Sequence, residues 1–181
     1  MVLIREAELL RRCKAGEWDA FEPIVRSYEG RIHAYAVTML RDAEEARDAT
    51  QETFIRAYQR LHQFESGRPF LPWLMSIART RCIDAIRARR SRARYEVCAG
   101  EMLPNIPDPA PEAGRAIERE NRRSLVWKAL GQLRPQEREI LTLKDVSELK
   151  YDEVAEILGI PRGTVASRVF AARRALAHQL G

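Results

Sequence analysis

Between Gly100 and Gly114 the chain carries Pro104, Pro107, Pro109 and Pro111. Proline lacks the amide donor that a helix or an inner strand needs, so no regular element survives that density of breakers. The segment cuts the 181-residue chain into two blocks, each long enough to bury a modest core. The charge changes at the same place. Residues 1–95 hold 18 Lys/Arg against 13 Asp/Glu, residues 96–118 hold 1 against 5, and residues 119–181 hold 12 against 8. We therefore divide the chain into a domain at 1–96, an acidic, Pro-rich linker at 97–118 and a domain at 119–181. Fully extended, the breaker-rich part of that linker reaches about 60 Å, which predicts two blocks free to grip distant sites on one partner. Basic blocks in a chain of pI near 9.4 point to a polyanion as that partner.

Both blocks read as helical. Ala46, Ala49, Thr50, Thr53, Ala57 and Leu61 recur at three- and four-residue steps, and strand-like alternation is absent. Leu74, Ile77, Ala78, Ile83 and Ile86 do so less regularly. Leu3, Leu9 and Leu10 open a first helix. Pro23, just after Asp19-Ala20-Phe21, opens a second, and Gly30 predicts its end. In the second block Val126, Leu130 and Leu133 share one helix, Pro135 opens the next through Leu143, and two more follow. The fold class is all-α, with no internal repeat.

Several function classes are disfavoured. No apolar run approaches the roughly 18 residues that cross a bilayer, and charge at Arg5 and Glu6 interrupts the N-terminal apolar stretch a secretory signal needs. We expect a cytoplasmic protein without stable membrane insertion. Cys13, Cys82 and Cys98 are odd in number and form no C-x-x-C pair, so they read as reduced structural thiols with neither a disulfide framework nor a zinc site. His33, His62 and His178 are scattered, and no H-E-x-x-H or paired carboxylates lie near the basic segments, which disfavours a metal-dependent nuclease or recombinase. We expect no enzyme activity, metal or cofactor.

The sharpest local pattern is a helix-turn-helix. Tyr151, Val154, Ala155 and Leu158 fall at i, i+3, i+4 and i+7, and Gly159 then permits a sharp turn. After Pro161, Val165, Val169, Ala172 and Leu176 form an inward face. Thr164, Ser167, Arg168, Ala171 and Arg174 lie opposite, and Arg162 stands at the N-terminal end, the end that reaches base edges in this motif.

In the first block Arg79, Arg81, Arg87, Arg89, Arg90, Arg92 and Arg94 meet only Asp84, a density suited to phosphates. Just upstream, Phe64, Phe70 and Trp73 surround the loop Glu65-Ser66-Gly67-Arg68-Pro69. Aromatic rings beside cations hold unstacked bases in single-strand binders. Trp73, at helical spacing with Ile77, reads as core, whereas Phe64 reads equally as core or as a base platform. Asp42, Glu44, Glu45, Asp48 and Glu52 make a segment of opposite sign that would repel DNA. Asp48, Gln51, Glu52 and Ile55 form an acidic and apolar stripe that is either a solvated face or a protein-docking face.

Four strings stand in order: Asp48-Ala49-Thr50-Gln51-Glu52-Thr53-Phe54; Pro72-Trp73-Leu74-Met75-Ser76-Ile77-Ala78-Arg79; Leu133-Arg134-Pro135-Gln136-Glu137-Arg138-Glu139-Ile140-Leu141; and Gly163-Thr164-Val165-Ala166-Ser167-Arg168. Together they resemble the bacterial extracytoplasmic-function (ECF) sigma factors over nearly the whole chain. The resemblance implies a sigma-2-like helical bundle and a sigma-4-like helix-turn-helix domain, acting as a transcription initiation factor on core RNA polymerase and promoter DNA. It implies that Asp48, Gln51, Glu52, Phe54 and Ile55 dock on the largest polymerase subunit. Phe64, Glu65, Ser66, Arg68, Arg79, Thr80 and Arg87 would melt and hold the −10 element. Arg162, Thr164, Ser167, Arg168, Arg173 and Arg174 would read the −35 element. It further implies control by an anti-sigma factor and a monomer when free of partners. Thr80 stands where the family often has Asn, and Ala166 and Ala171 stand where it often has longer side chains, which concentrates −35 reading on Arg162, Ser167 and Arg168. The rival reading is a helix-turn-helix activator or repressor that binds duplex alone, and it leaves the acidic stripe and the arginine run without a shared explanation.

Overall fold

The structure, a computed structural model, describes the backbone of residues 2–99 and 117–180 and the side chains of 6–92 and 125–180. In the first block α1 (Val2–Lys14) leads through a 3-10 turn (Trp18–Phe21) into α2 (Glu22–Leu40), α3 (Ala43–Gln59) and α4 (Phe70–Ala99). The second block holds α5 (Ile117–Gln132), α6 (Pro135–Leu141), a π-helical turn (Thr142–Val146), α7 (Tyr151–Leu158) and α8 (Arg162–Leu180). Among the described residues there is no strand.

The sharp reversal between α2 and α3 is written in two residues. Arg41 adopts a left-handed conformation (φ 58°) and its amide closes the last turn of α2 on the Val37 carbonyl. Asp42 then caps α3, its carboxylate accepting the Glu45 amide at 2.8 Å and lying at the positive end of the helix. Ala46, Ala49 and Ala57 on α3 are buried beside Ile32, Tyr35 and Leu40 on α2 and Leu74, Met75, Ala78 and Cys82 on α4. Small side chains on α3 let the three helices approach closely. The buried hydroxyls of Thr50 and Thr53 donate to the Ala46 and Ala49 carbonyls one turn back, so neither is left unsatisfied.

In the second block Gly159 ends α7 at φ 65°, ψ 35°, and the Ile160 amide returns to the Ala155 carbonyl at 3.1 Å. A Cβ at this φ would be strained, which is why glycine serves at the turn of the helix-turn-helix. Val154, Val165, Val169 and Ala172 seal the crossing of α7 and α8 over Ile140, Leu141 and Leu143.

Two expectations are corrected. Gly30 does not end a helix: α2 runs unbroken from Glu22 to Leu40. Ile24, Ile32, Tyr35, Ala36 and Leu40 bury its inner face, and that burial outweighs the roughly 1 kcal/mol that an interior glycine costs. Helix α4 runs to Ala99, and residues 100–116 of the linker lie outside the described residues. Most consequentially, the blocks are not held apart. Helix α2 packs on α6 and the π turn, α4 packs on α7, and the buried apolar residues of both blocks form one cluster. A long connector sets the largest separation two blocks can reach, and complementary side chains at the seam set the one adopted.

Gly30 is exposed, and a Cβ built there meets nothing within 4 Å. Gly30→Ala should therefore raise stability by about 0.5–1 kcal/mol, chiefly by restricting the unfolded chain. The measurement is a urea unfolding curve with a higher midpoint and an unchanged slope; a lower midpoint would mean that the helix packs differently at this turn.

Candidate nucleic-acid and protein interfaces

On α3, residues at one face are core and those opposite are open. Asp48, Gln51 and Ile55 are exposed, whereas Phe54 is buried and meets the Phe21 ring edge-on at 6.4 Å. Glu52 is half-exposed and engaged within the fold: Arg56 donates to it at 2.9 Å and Arg81 lies at 3.5 Å. The Arg56 hydrogen bond, and after it the charge of Arg81, hold the Glu52 carboxyl below the usual carboxylate range. Of the expected stripe, then, Asp48, Gln51 and Ile55 are free to meet a partner, Glu52 is shared, and Phe54 supports from beneath. Gln51, Phe54 and Ile55 also line a groove of about 520 Å³ with Val25, Glu29, His33, Arg47 and Thr50 of α2 and α3. The first block also exposes two aromatics: Trp18, and Tyr58, whose ring is 5.2 Å from Phe21. Tyr58 could have been found, since it stands three residues after Ile55.

The arginine run divides by helical face. Arg87, Arg90 and Arg92 are exposed, whereas Arg89 donates to the Leu40 carbonyl at 3.2 Å and so caps the C-terminus of α2. Arg81 is held by Glu52 and Asp84. Thr80 is exposed, its hydroxyl donating to the Ser76 carbonyl. Arg94 falls outside the described side chains. In the preceding loop Glu65, Ser66 and Arg68 are exposed. Phe64, expected equally as core or as a base platform, is core: its ring meets Phe70 at 5.3 Å and Trp73 at 5.2 Å, under the Lys14 ammonium. In this conformation the Phe64 ring is turned inward, where the three rings pack edge-on and tilted against one another.

Helix α8 shows the predicted two faces. Val165, Val169 and Ala172 are buried, while Ala166, Ser167, Arg168, Ala171 and Arg174 are exposed and Thr164 is half-buried. Arg162 pairs with Asp152 at 3.3 Å across the turn. Arg173 leans away from the open face and forms a two-point ion pair with Asp145 of the π turn, at 2.6 and 3.1 Å. The residue missed here is Phe170, 66% exposed, three residues after Ser167 and four before Arg174. Its place on the polar face is the signal that could have singled it out.

At the seam, Arg79 of α4 donates to Glu139 of α6 at 2.8 Å, and the buried Tyr35 hydroxyl of α2 reaches the same carboxylate oxygen at 3.4 Å. Burial, and next the Glu139 charge, push the Tyr35 hydroxyl well above the ordinary phenol range, so it stays a donor. Arg138 extends from α6 to the Thr38 carbonyl of α2 at 3.5 Å and to its own Leu133 carbonyl at 3.2 Å. At the other end, Arg68 donates to Glu156 of α7 at 2.6 Å. Among the described residues no three or more His, Cys, Asp or Glu side chains are grouped as a metal site would need, and no helix is long and apolar enough to cross a membrane.

A basic helix-turn-helix block joined to a helical bundle with its own arginine-bearing helix defines a DNA-binding transcription protein, and comparison with known proteins supplies the class. Residues 24–92 match Sigma-70 region 2 and residues 123–176 match Sigma-70 region 4. The chain is 34% identical over 177 residues to the ECF RNA polymerase sigma factor SigW of Bacillus subtilis, covering 94% of each. Among solved structures it resembles the sigma factor RpoE of Bartonella quintana, determined with the anti-sigma factor NepR, with TM-score 0.73, 25% identity, and coverage of 88% of this chain and 96% of that one. CnrH, determined with the cytosolic domain of CnrY, shares the fold with TM-score 0.72 at 23% identity over 97% of both chains. The chain belongs to the ECF sigma factors, the transcription initiation factors of the Sigma-70 type.

Cys82 lies under the seam, fully buried, and burial pushes its thiol up to about 12. Because the thiolate is the nucleophile, iodoacetamide labelling of Cys82, followed by peptide mass spectrometry, should stay negligible between pH 7 and 9.5 in the native protein and become rapid in denaturant. Labelling that rises with pH like that of a free thiol would show that water reaches the seam.

Proposed function

We propose that this sigma factor divides its work among three surfaces. The exposed stripe of Asp48, Gln51 and Ile55, with Glu52 beside it and Phe54 beneath, docks on a helical element of core RNA polymerase. The loop at Glu65, Ser66 and Arg68, together with Arg79, Thr80 and Arg87 on α4, holds the melted −10 strand. Arg162, Thr164, Ser167 and Arg168 read the −35 element, and Arg174 contacts phosphates. Arg173, paired with Asp145, positions α8. The domains that carry these tasks are 1–96 and 119–181, with the acidic linker 97–118 between them. The protein works in the cytoplasm without chemistry of its own, and an anti-sigma factor holds it inactive, by analogy with the RpoE neighbour.

The observation that carries the docking assignment is the burial pattern of α3: Ala46, Ala49, Thr53 and Ala57 are core, so Asp48, Gln51 and Ile55 must face outward. Exposed carboxylates beside an exposed isoleucine suit a protein partner and repel DNA. Asp48→Lys with Ile55→Asp should lower affinity for core polymerase at least tenfold while leaving the helical circular-dichroism signal intact. Unchanged capture of core polymerase by the variant would move the docking site elsewhere.

The division of labour on α8 supplies a second test. An arginine that bonds both acceptors of a guanine discriminates by about 1–3 kcal/mol, whereas a phosphate contact carries no base information. With promoters bearing single −35 substitutions, Arg168→Ala should flatten the response at one or two positions. Arg174→Ala should lower every promoter alike, with a shallower salt dependence. The reverse pattern would mean that α8 sits rotated in the groove.

A further inference from the structure

We propose that Lys14, the last residue of α1, is a positioning residue for the −10 strand: it fixes the turn at Glu65–Arg68 and leaves the Ser66 hydroxyl as a donor to an acceptor on the strand. Its ammonium donates to the Phe64 carbonyl at 2.5 Å and to the Ser66 hydroxyl oxygen at 3.2 Å, and it lies over the Phe64 ring, 5.6 Å from the centroid. That role rests on the assignment, made above, of the loop at Glu65, Ser66 and Arg68 to the melted strand.

Glu65, Ser66, Gly67 and Arg68 are all exposed, and the Arg68 amide returns to the Glu65 carbonyl at 3.3 Å. Gly67 has φ 94°, the left-handed sign that the third residue of a type II turn requires, and a Cβ built on it meets nothing within 4 Å. No neighbour therefore packs on the middle of the turn, and hydrogen bonds decide its shape. Both ends of the Lys14 link are anchored. Phe64 donates its amide to the Leu61 carbonyl at 3.1 Å and buries its ring. Helix α1 buries Leu10 and Cys13 and packs on the 3-10 turn Leu61–Gln63. Lys14 thus ties an exposed residue of the turn to the buried residue beneath it. Without that tie the turn keeps one long amide bond and a glycine, the residue with the most conformations open to it.

The chemistry of an ammonium makes this more than a staple. It has hydrogens to give and no lone pair, so whatever it meets must accept. Having accepted from Lys14, the Ser66 oxygen keeps its own hydrogen, which finds no acceptor among the described residues. The charge is also left over. Lys14 rests on two neutral oxygens and, among the described residues, pairs with no carboxylate, whereas Arg68 is neutralised by Glu156. A hydroxyl with a free hydrogen beside an uncompensated cation suits a polyanion that carries acceptors. A phosphodiester oxygen and an acceptor on a base edge share that chemistry, and the second would also discriminate between bases.

The experiment uses holoenzyme reconstituted from core RNA polymerase and the full chain, with a fluorescein-labelled forked DNA whose −10 strand is single. Ser66→Ala should weaken binding roughly tenfold. Lys14→Met, which keeps the length and removes donor and charge, should weaken it at least as much. The double variant should bind no worse than Lys14→Met alone, because a hydroxyl without its lysine has nothing further to lose. Lys14→Arg keeps charge and donors and should recover most of the affinity. The Ser66→Ala loss should vanish at one base substitution if the acceptor is on a base, and at one methylphosphonate linkage if it is a phosphate; either result supports the proposal. Hydrogen exchange of the full chain without DNA reads the turn itself: in Lys14→Met the segment 64–68 should exchange faster while α2 and α4 keep their protection. The proposal is overturned by losses that add in the double variant, by unchanged exchange over 64–68, or by faster exchange that spreads through α2, which would make Lys14 a general brace of the bundle. A loss for Ser66→Ala with none for Lys14→Met overturns the role of Lys14 and leaves the loop on the strand. Wild-type binding by both Ser66→Ala and Arg68→Ala removes the loop from the strand, and the role of Lys14 with it.

Discussion

Glu139 is placed between two donors of the other block, the Arg79 guanidinium and the Tyr35 hydroxyl, where little water reaches: its side chain is 13% exposed and that of Arg79 is 29%. A charge in such a place is tolerated only while its partner is present, because an unpaired buried charge keeps the full cost of leaving water. The pair therefore does little for net stability and much for specificity. It ties α6 to α4 across the seam, where α2 packs on α6 and α4 on α7. Arg138 on the Thr38 carbonyl and Arg68 on Glu156 then fall into register. The apolar cluster that runs through both blocks depends on that register. The same physics makes the seam reversible, since both charges regain hydration together when the blocks part.

The chain uses its arginines in two ways, and their partners separate them. Arg81, Arg89, Arg138 and Arg173 are spent inside the protein, on carboxylates or on the carbonyls at helix ends. Arg87, Arg90, Arg168 and Arg174 stand open to solvent. Arg68 and Arg79 belong to both sets, paired within the closed chain and lying where the −10 strand is proposed to bind. The acidic stripe of α3 is the counterpart of this arrangement. Its position on the solvent face of a helix whose other face is alanine-rich core keeps a repulsive charge on a separate helix from the exposed arginines of α4 and α8.

Much of this was legible in the sequence. The spacing of Val154, Ala155, Leu158, Gly159 and Val165 carries the helix-turn-helix in full, because each residue is constrained locally by a helix face or a turn. The α3 stripe was legible for the same reason. Gly30 misled, since local propensity favours a break where tertiary burial of α2 decides otherwise. Phe64 and Phe54 could not be resolved from spacing, because an aromatic next to charge reads alike whether it faces core or solvent. The seam was invisible. Arg79 and Glu139 are 60 residues apart across a connector, and no periodicity within either block records that a charge in one faces a charge in the other. The Arg173–Asp145 pair was invisible for a related reason: the helical position of Arg173 is outward, and only the fold brings Asp145 beside it. Phe170 was legible, since its spacing from Ser167 and Arg174 puts it on the polar face and off that of Val165, Val169 and Ala172.

The central claim is that this chain confers promoter choice on core RNA polymerase through two DNA-reading surfaces acting together. The most direct measurement is run-off transcription by core polymerase and purified chain on a library of randomised promoters, with sequencing of the templates that are transcribed. The account predicts enrichment of two short motifs, near −35 and near −10, at a narrow spacing, and no enrichment when either component is omitted. Enrichment of a single duplex motif bound by the chain alone, with no transcription start set by it, would contradict the account.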